Sequence, residues 1–285
     1  MSCSGAGWRA GARRIAAGAL ALGVAGSAWS DEQPLWELGA GVSVLHFPAY
    51  RGSEETRQWA LPLPYVVYRG EFLKADRRGL RGLFLDTERA ELSLSLAASP
   101  PASSKDVDVR DGMPDLEPTV ELGPSLDLHL WRQRDTERRL TLRLPLRHGI
   151  TVERHPRSTG WQFTPNLNLD WSDPPGLDGW RLGLLGGPVF GDRRQHRYFY
   201  GVAPEHATAQ RPAYEARGGY AGMQFLASLS KRYPTYWVGG FVRYDTLAHA
   251  TFADSPLVTS RRYLAAGVAV TWIFGESSQR VWTDE

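Results

Sequence analysis

The chain has 285 residues, with 33 Lys and Arg against 31 Asp and Glu, a formal net charge of +2 and a mean hydropathy of −0.36. Its single cysteine is Cys3, and no apolar run after residue 30 approaches the ~20 residues of a membrane-spanning helix. Beyond the N-terminal segment this excludes disulfides, cysteine–metal sites, cysteine nucleophiles and a helical membrane protein together.

Arg9, Arg13 and Arg14 precede an Ala-rich apolar run from Ile15 to Gly26, and Ala28-Trp29-Ser30 places small residues on either side of Trp29, just before Asp31. That order reads as a cleaved export signal over residues 1–30, with an apolar run too short to anchor. Cys3 precedes the run, so it is not placed like a lipidated cysteine. Cleavage removes three Arg and no acid, so 33 against 31 becomes 30 against 31, a net of −1. The electrostatic case for nucleic-acid binding disappears with it.

Residues 35–47 alternate. Trp36, Leu38, Ala40, Val42 and Val44 face one way, and Glu37, Gly39, Gly41 and Ser43 the other, as successive strand side chains must. Residues 57–68 put Trp59, Leu61, Leu63, Tyr65 and Val67 on one face. Pro62 and Pro64 lie between them and cannot donate ladder hydrogen bonds, so a distorted strand is expected. Short strands follow near 71–76 and 80–86. Residues 88–98 then alternate Ala90, Leu92, Leu94, Leu96 and Ala98 with Glu91, Ser93, Ser95 and Ala97.

Over 117–131, Val120, Leu122, Leu126, Leu128 and Leu130 oppose Glu121, Ser125, Asp127 and His129. Over 138–149, Leu140, Leu142, Leu144 and Leu146 oppose Thr141, Arg143 and Arg147. Residues 161–172 read as one strand, Trp161, Phe163, Leu167, Leu169 and Trp171 against Gln162, Thr164, Asn166, Asn168 and Asp170. Further strands are expected over 179–190, 213–230, 235–247 and 261–274. The last of these turns Leu264, Ala266, Val268, Val270, Trp272 and Phe274 outward.

These make about twelve strands, and no domain boundary interrupts them. Long connections (48–56, 99–116, 150–160, 191–212, 248–260) alternate with short ones (69–70, 87, 132–137, 173–178, 231–234). The tight 77–79 is the exception among the long set. An antiparallel transmembrane β-barrel has this pattern, with apolar faces to lipid, polar faces to the lumen, long outer loops and short periplasmic turns. The 11 Trp and 11 Tyr suit interfacial girdles. A soluble β-sandwich also alternates, but it leaves the loop asymmetry unexplained. The expected fold is all-β: a barrel over 31–274 followed by a polar tail, 275–285.

Several segments resemble the MipA/OmpV family of outer-membrane proteins. They are Trp36-Glu37-Leu38-Gly39-Ala40-Gly41, Pro48-Ala49-Tyr50-Arg51-Gly52-Ser53, Leu61-Pro62-Leu63-Pro64-Tyr65 with Tyr68, and Gly112-Met113-Pro114-Asp115-Leu116. Tyr198-Phe199-Tyr200-Gly201-Val202 and Asp254-Ser255-Pro256-Leu257-Val258 follow in the same order. The resemblance implies an outer-membrane barrel that scaffolds a murein lytic transglycosylase with a peptidoglycan synthase. It carries no catalytic residues. Such barrels usually end on an aromatic residue, whereas here Phe274 is followed by the tail Gly275 to Glu285.

Residues suited to chemistry are sparse. Ser125, Asp127 and His129 share a strand face, which suggests a barrel lipid hydrolase. Residues two apart on a strand are separated by about 7 Å, however, so a serial hydrogen-bonded triad is not expected. The seven histidines show no metal-ligand spacing, so no metal, cofactor or catalytic residue is assigned. The lumen mixes signs: Arg143, Arg147, Arg181 and Arg243 against Glu37, Glu91, Glu121, Asp127, Asp170 and Asp245, with His129 among them. Mixed sign in a small barrel predicts internal salt bridges and at most a narrow solute channel. Arg193, Arg194, His196 and Arg197 form a basic run in the longest outer connection. It is read as a solvated loop, with contact to lipopolysaccharide phosphates as the functional alternative.

Overall fold

The computed structural model describes residues 32–70, 73–76, 79–133 and 138–282; the expected signal, 1–30, lies outside them. The strands in chain order are β1 (Glu32–Pro34), β2 (Trp36–Pro48), β3 (Thr56–Arg69), β4 (Leu73–Asp76), β5 (Gly79–Asp86), β6 (Ala90–Ser99), β7 (Thr119–Gln133) and β8 (Arg138–Thr151). They continue as β9 (Ser158–Phe163), β10 (Asn166–Ser172), β11 (Trp180–Gly191), β12 (Gly219–Arg232), β13 (Tyr236–Thr246), β14 (Arg262–Glu276) and β15 (Arg280–Trp282).

From β2 to β14 consecutive strands pair antiparallel, except that β9 and β10 do not pair with each other. β14 pairs with β2 (Val268 opposite Val44), and β8 and β11 both pair with β9 and β10, so the sheet closes on itself. Closure removes most of the sheet edge that lipid could not satisfy, and only β3 and β6 keep unpaired stretches beyond the short β4–β5 hairpin.

The segment expected as one strand over 161–172 is interrupted at Thr164–Pro165, because Pro165 has no N–H for the ladder. Its register survives the break: Phe163 faces Leu146 and Asn166 faces Arg143, three residues on along each strand. β9 and β10 are therefore one wall strand, and the described wall has twelve, as expected.

The alternation sorts by exposure as the pattern requires. Val42, Val44, Leu122, Leu130, Leu146, Leu167, Val242, Leu264, Val268 and Trp272 are exposed, while Glu37, Asp127, Asp245 and Thr271 are buried. An apolar belt around the whole wall is far beyond the patches that a soluble monomer exposes, which disposes of the sandwich.

Two expectations for β3 are corrected. Its pairing with β2 runs from Trp36–Tyr68 to Pro48–Thr56 without a register shift, so the prolines do not distort it. The Arg69 N–H donates to Leu35 O, so odd-numbered residues of β3 aim their N–H at β2. Pro62 and Pro64 are even-numbered and sit where the missing donor would have faced the other side. The face carrying Trp59, Leu61, Leu63, Tyr65 and Val67 points inward, not to lipid: Tyr65 reaches the buried Glu37, and Val66 is the exposed neighbour.

The last strands differ at their ends. β12 begins at Gly219 rather than near 213. β14 runs to Glu276, and the segment expected as a tail supplies β15, which pairs with β1 in a separate two-stranded sheet at the turn end.

At the other end the long connections 49–55, 100–118, 192–218 and 247–261 fold together. Ala49, Tyr50, Ala102, Val107, Leu116, Val189, Tyr200, Ala216, Ala221, Leu247, Ala250 and Phe252 form one apolar core there. The expected solvated loop contains helix α1 (Arg193–Tyr200), capped by the Asp192 side chain, which accepts from Gln195 N at 2.8 Å. The helix forms because one face has apolar neighbours: Gln195, His196 and Tyr200 are buried while Arg193, Arg194 and Arg197 remain outside.

Candidate functional site

The interior is laid out in three tiers. At the turn end the fully buried Glu37 carboxylate accepts from Arg69 Nη2 at 2.9 Å, Arg232 Nε at 3.0 Å and Tyr65 Oη at 3.3 Å. Arg232 lies on β12 and Glu37 on β2, so the bond is a chord across the lumen. The Tyr65 and Trp237 rings stand 6.5 Å apart beside it.

In the middle tier Asp127 and Arg143 are direct cross-strand partners and bond at 3.0 Å. Glu121 meets Arg147 at 3.4 Å on the diagonal, and Arg147 also donates to Ser95 Oγ and Thr164 Oγ1. Asp170 accepts from the Asn168 amide at 2.7 Å, whereas Arg181, opposite Ser172, forms no ion pair among the described residues. Glu91 lies opposite Asp127.

The Ser125–Asp127–His129 set resolves differently from its sequence reading. Ser125 Oγ does donate to Asp127 Oδ1, at 2.8 Å, because both side chains lean along the strand and close the backbone separation. Asp127 is then held by Arg143, and His129 Nδ1 faces Thr141 Oγ1 at 3.4 Å. The serine is therefore hydrogen-bonded to a carboxylate and not to an imidazole, so no nucleophile–base pair forms in this set.

The third tier lies under the loops. Asp245, fully buried, holds Arg243 (2.5 Å) and Arg51 (3.1 Å), and Arg51 Nε also donates to Tyr263 Oη at 3.0 Å. Above this cluster is a cavity of ≈ 430 Å³, lined by Phe47, Glu121, Arg147, Gln224, Phe241 and Arg243 among others. Its size falls in the range of small-molecule pockets.

The loops that roof the cavity are cross-linked by side chains reaching backbone carbonyls. Arg110 donates to Phe199 O and Pro114 O, and Arg211 to Val109 O, Asp111 O and His206 O. Tyr50 Oη reaches Leu257 O at 2.5 Å, Tyr200 Oη reaches Arg51 O at 2.8 Å, and Ser255 Oγ reaches Tyr200 O at 2.7 Å. Tyr200 stacks on Phe252 at 3.6 Å between centroids. Burial pushes the Tyr50 and Tyr200 phenols well above their ordinary range, so both remain donors. Burial lowers the Arg110 guanidinium from its usual value.

Of the basic run, Arg193 pairs with Glu215 and Arg197 lines an outer cleft of ≈ 670 Å³ with Arg110, Arg157, Tyr198 and Tyr214. Among the described residues, no group of three His, Cys, Asp or Glu is placed to hold a metal ion.

The lumen cluster anticipated from the pattern is thus partly assembled: Asp127–Arg143, Glu121–Arg147 and Asp245–Arg243 meet, and Arg181 does not join them. The roof residues Arg51, Arg110, Arg211, Tyr50 and Tyr200 were not foreseen as a unit. One signal for them was available. The loop segments 48–53, 112–116, 198–202 and 254–258, which carry the family resemblance, all converge on this roof.

The model of the family described as "MltA-interacting protein MipA" matches residues 40–274. The chain is 24% identical over 213 residues to "Outer membrane protein OmpV" of Vibrio cholerae serotype O1, covering 73% of this chain and 76% of that one. It has the same identity and coverage to "Outer membrane protein Omp26La" of Vibrio anguillarum. The match spans every strand of the wall from the body of β2 to the body of β14, and the chain belongs to the MipA family.

Proposed function

We propose that this protein is an exported outer-membrane barrel that serves as a structural anchor, presenting its turn end to a murein lytic transglycosylase and, with it, a peptidoglycan synthase. The observation that carries the reading is the filled lumen. An ion pair crosses it at the turn end, ion pairs between neighbouring strands occupy its wall in the middle, and a packed roof covers the loop end. A barrel built this way spends its interior on holding its own shape, unlike a wide porin.

The name of the family supports the partner, since MltA is a lytic transglycosylase. Short turns alone offer little of the ~1,600 Å² of a stable interface. The β1–β15 sheet adds surface at that end, with Trp282 exposed on it. In this reading lipid and lipopolysaccharide surround the wall, and Arg194 and Arg197, which are exposed, bind lipopolysaccharide phosphates. The cavity under the roof favours a second reading, a narrow solute channel.

One experiment separates the two. Affinity capture from bacterial envelopes with the full chain should retain a lytic transglycosylase, and exchanging Arg280–Trp282 for Gly-Ser should weaken that capture. Planar-bilayer recordings of the same preparation should show no steady conductance. A stable open conductance with no transglycosylase captured would overturn the anchor reading.

A further inference from the structure

The wall is incomplete on one side. β3 pairs with β4 only at Tyr68–Ala75 and Arg69–Lys74, and the β4–β5 hairpin ends at Asp76–Gly79. On its far side, β6 pairs with β5 only from Glu91 to Leu94. Among the described residues, β3 from 56 to 67 therefore pairs with no strand on the side away from β2, and β6 has no strand beside Ala98 and Ser99, past the level that β5 reaches at Gly79. At the top the opening is bounded by Arg57, whose Nη2 reaches Asp106 at 3.2 Å.

Two further observations make this an opening rather than a short turn. Wall strands from both sides line the cavity, and among the described residues its lining passes from Phe47 and Pro48 on β2 to Ala97, Ala98 and Ser99 on β6 with none from β3. Ala98 lies opposite Val120 on the outward face and is exposed, yet it lines the same cavity. The cavity thus continues from the lumen to the membrane face past the edge of β6.

The backbone chemistry agrees. Hydrocarbon does not tolerate a row of unpaired N–H groups. Of the even-numbered β3 residues whose N–H would face the opening, Pro62 and Pro64 have none to leave unpaired. At the inner end of the passage Asp245 is shared by two guanidiniums, Arg51 and Arg243, so that cluster has one positive charge in excess, while Arg147 and Glu121 of the same lining pair with each other and Glu117 also lines the cavity. Phe47, Leu116, Phe199 and Phe241 supply apolar walls.

We propose that the gap between β3 and β6 is a lateral portal through which a single-chain amphiphile with an anionic carboxylate head passes from the bilayer into the cavity under the roof. The tail lies against Ala98 and Phe47 and the head at Arg243, beside Gln224 and Tyr263. This site is independent of the anchor reading, because partner capture plays no part in it.

Cys3 is the single cysteine of the sequence, so Ala97→Cys combined with Cys3→Ser gives one attachment point inside the cavity. The labelled full chain is placed in phospholipid nanodiscs, with barrel folding checked by heat-modifiable gel migration. A fluorophore at position 97 is then quenched with doxyl-stearate, with its methyl ester, or with a water-soluble nitroxide carboxylate. Doxyl-stearate should quench saturably, about tenfold more tightly than the ester, because a charge-assisted bond is lost in the ester. Arg243→Gln should abolish that preference, and Ala98→Trp should slow quenching about tenfold. Equal quenching by acid and ester, or none, would overturn the site. Quenching by the soluble nitroxide as fast as by doxyl-stearate, with no effect of Ala98→Trp, would overturn the portal.

Discussion

At the turn end the lumen is crossed by charge: one buried carboxylate, Glu37, gathers Arg69, Arg232 and Tyr65 from three other positions in the wall. At the loop end it is crossed by apolar packing, with Leu247, Phe252, Leu257 and Val107 fully buried in segments that contain no wall strand. The two ends face different problems. Wall side chains already have a satisfied ladder behind them, so only their own charge must be matched. Loop segments bring unpaired carbonyls with them, and these must find donors once buried. The buried guanidiniums of Arg110 and Arg211 supply such donors, which explains why they sit on carbonyl oxygens rather than on carboxylates.

If the roof is a unit of its own, it can be broken without the wall. Phe252→Ala empties the position under Tyr200 and should cost about 3–5 kcal/mol of roof stability, the usual range for a buried phenylalanine. Limited proteolysis should then nick 192–218 and 247–261 at native conditions, while heat-modifiable migration of the barrel persists. Loss of the barrel together with the roof would show that the two regions fold as one.

The wall is challenged from the lipid side. Val268→Arg and Leu167→Arg place a charge at mid-strand on the exposed belt and should cost about 2–4 kcal/mol each in refolding equilibria into vesicles. Asn168→Arg, one residue from Leu167 but inward, should cost less, because it enters a lumen already carrying ion pairs. Neither belt substitution should raise proteolysis of the roof. Equal costs at 167 and 168 would remove the distinction between lipid face and lumen on which the barrel rests.

What the sequence made legible follows the same division. Strand pairing repeats every second residue, so the outward face of β14 and the inward carboxylates of β7 could be read one residue at a time. The exception within the wall is β3, whose inner face is apolar: Trp59 stacks on Phe47 under the roof, and period alone does not say which side of an alternating strand is wet. The break at Pro165 is likewise invisible to a pattern that continues in register across it. The roof has no period. Tyr50, Tyr200 and Leu257 are far apart in sequence and become partners only once closure of the wall brings their loops to one mouth. Arg193 to Arg197 looked like a solvated charge run because helical periodicity is hard to see in eight residues, half of them charged or imidazole.

The smallest effect that distinguishes the two ends is one of pH, and it rests on His196. The ring is fully buried on α1, its Nδ1 donates to Arg217 O at 2.6 Å, and it packs on Phe252 at 4.6 Å. The carbonyl fixes the proton on Nδ1, leaving Nε2 buried without a partner. Protonating Nε2 would bury a charge, so burial lowers the pKa, Arg51 adds to the lowering, and the Arg217 carbonyl and Asp192 oppose it. A histidine whose folded pKa is depressed gives stability that is fully present above its unfolded value, about 6.5, and is lost as pH falls toward the folded value. One proton limits the slope to about 1.4 kcal/mol per pH unit. Protection of the roof against proteolysis should therefore weaken by about 1 kcal/mol between pH 7.5 and 5.5. His196→Gln, which keeps a donor for Arg217 O but cannot titrate, should flatten that dependence while leaving the heat-modifiable shift of the wall unchanged. A His196→Gln roof that still loosens with the native pH profile would assign the titration to another group and leave the apolar end with no proton-linked term of its own.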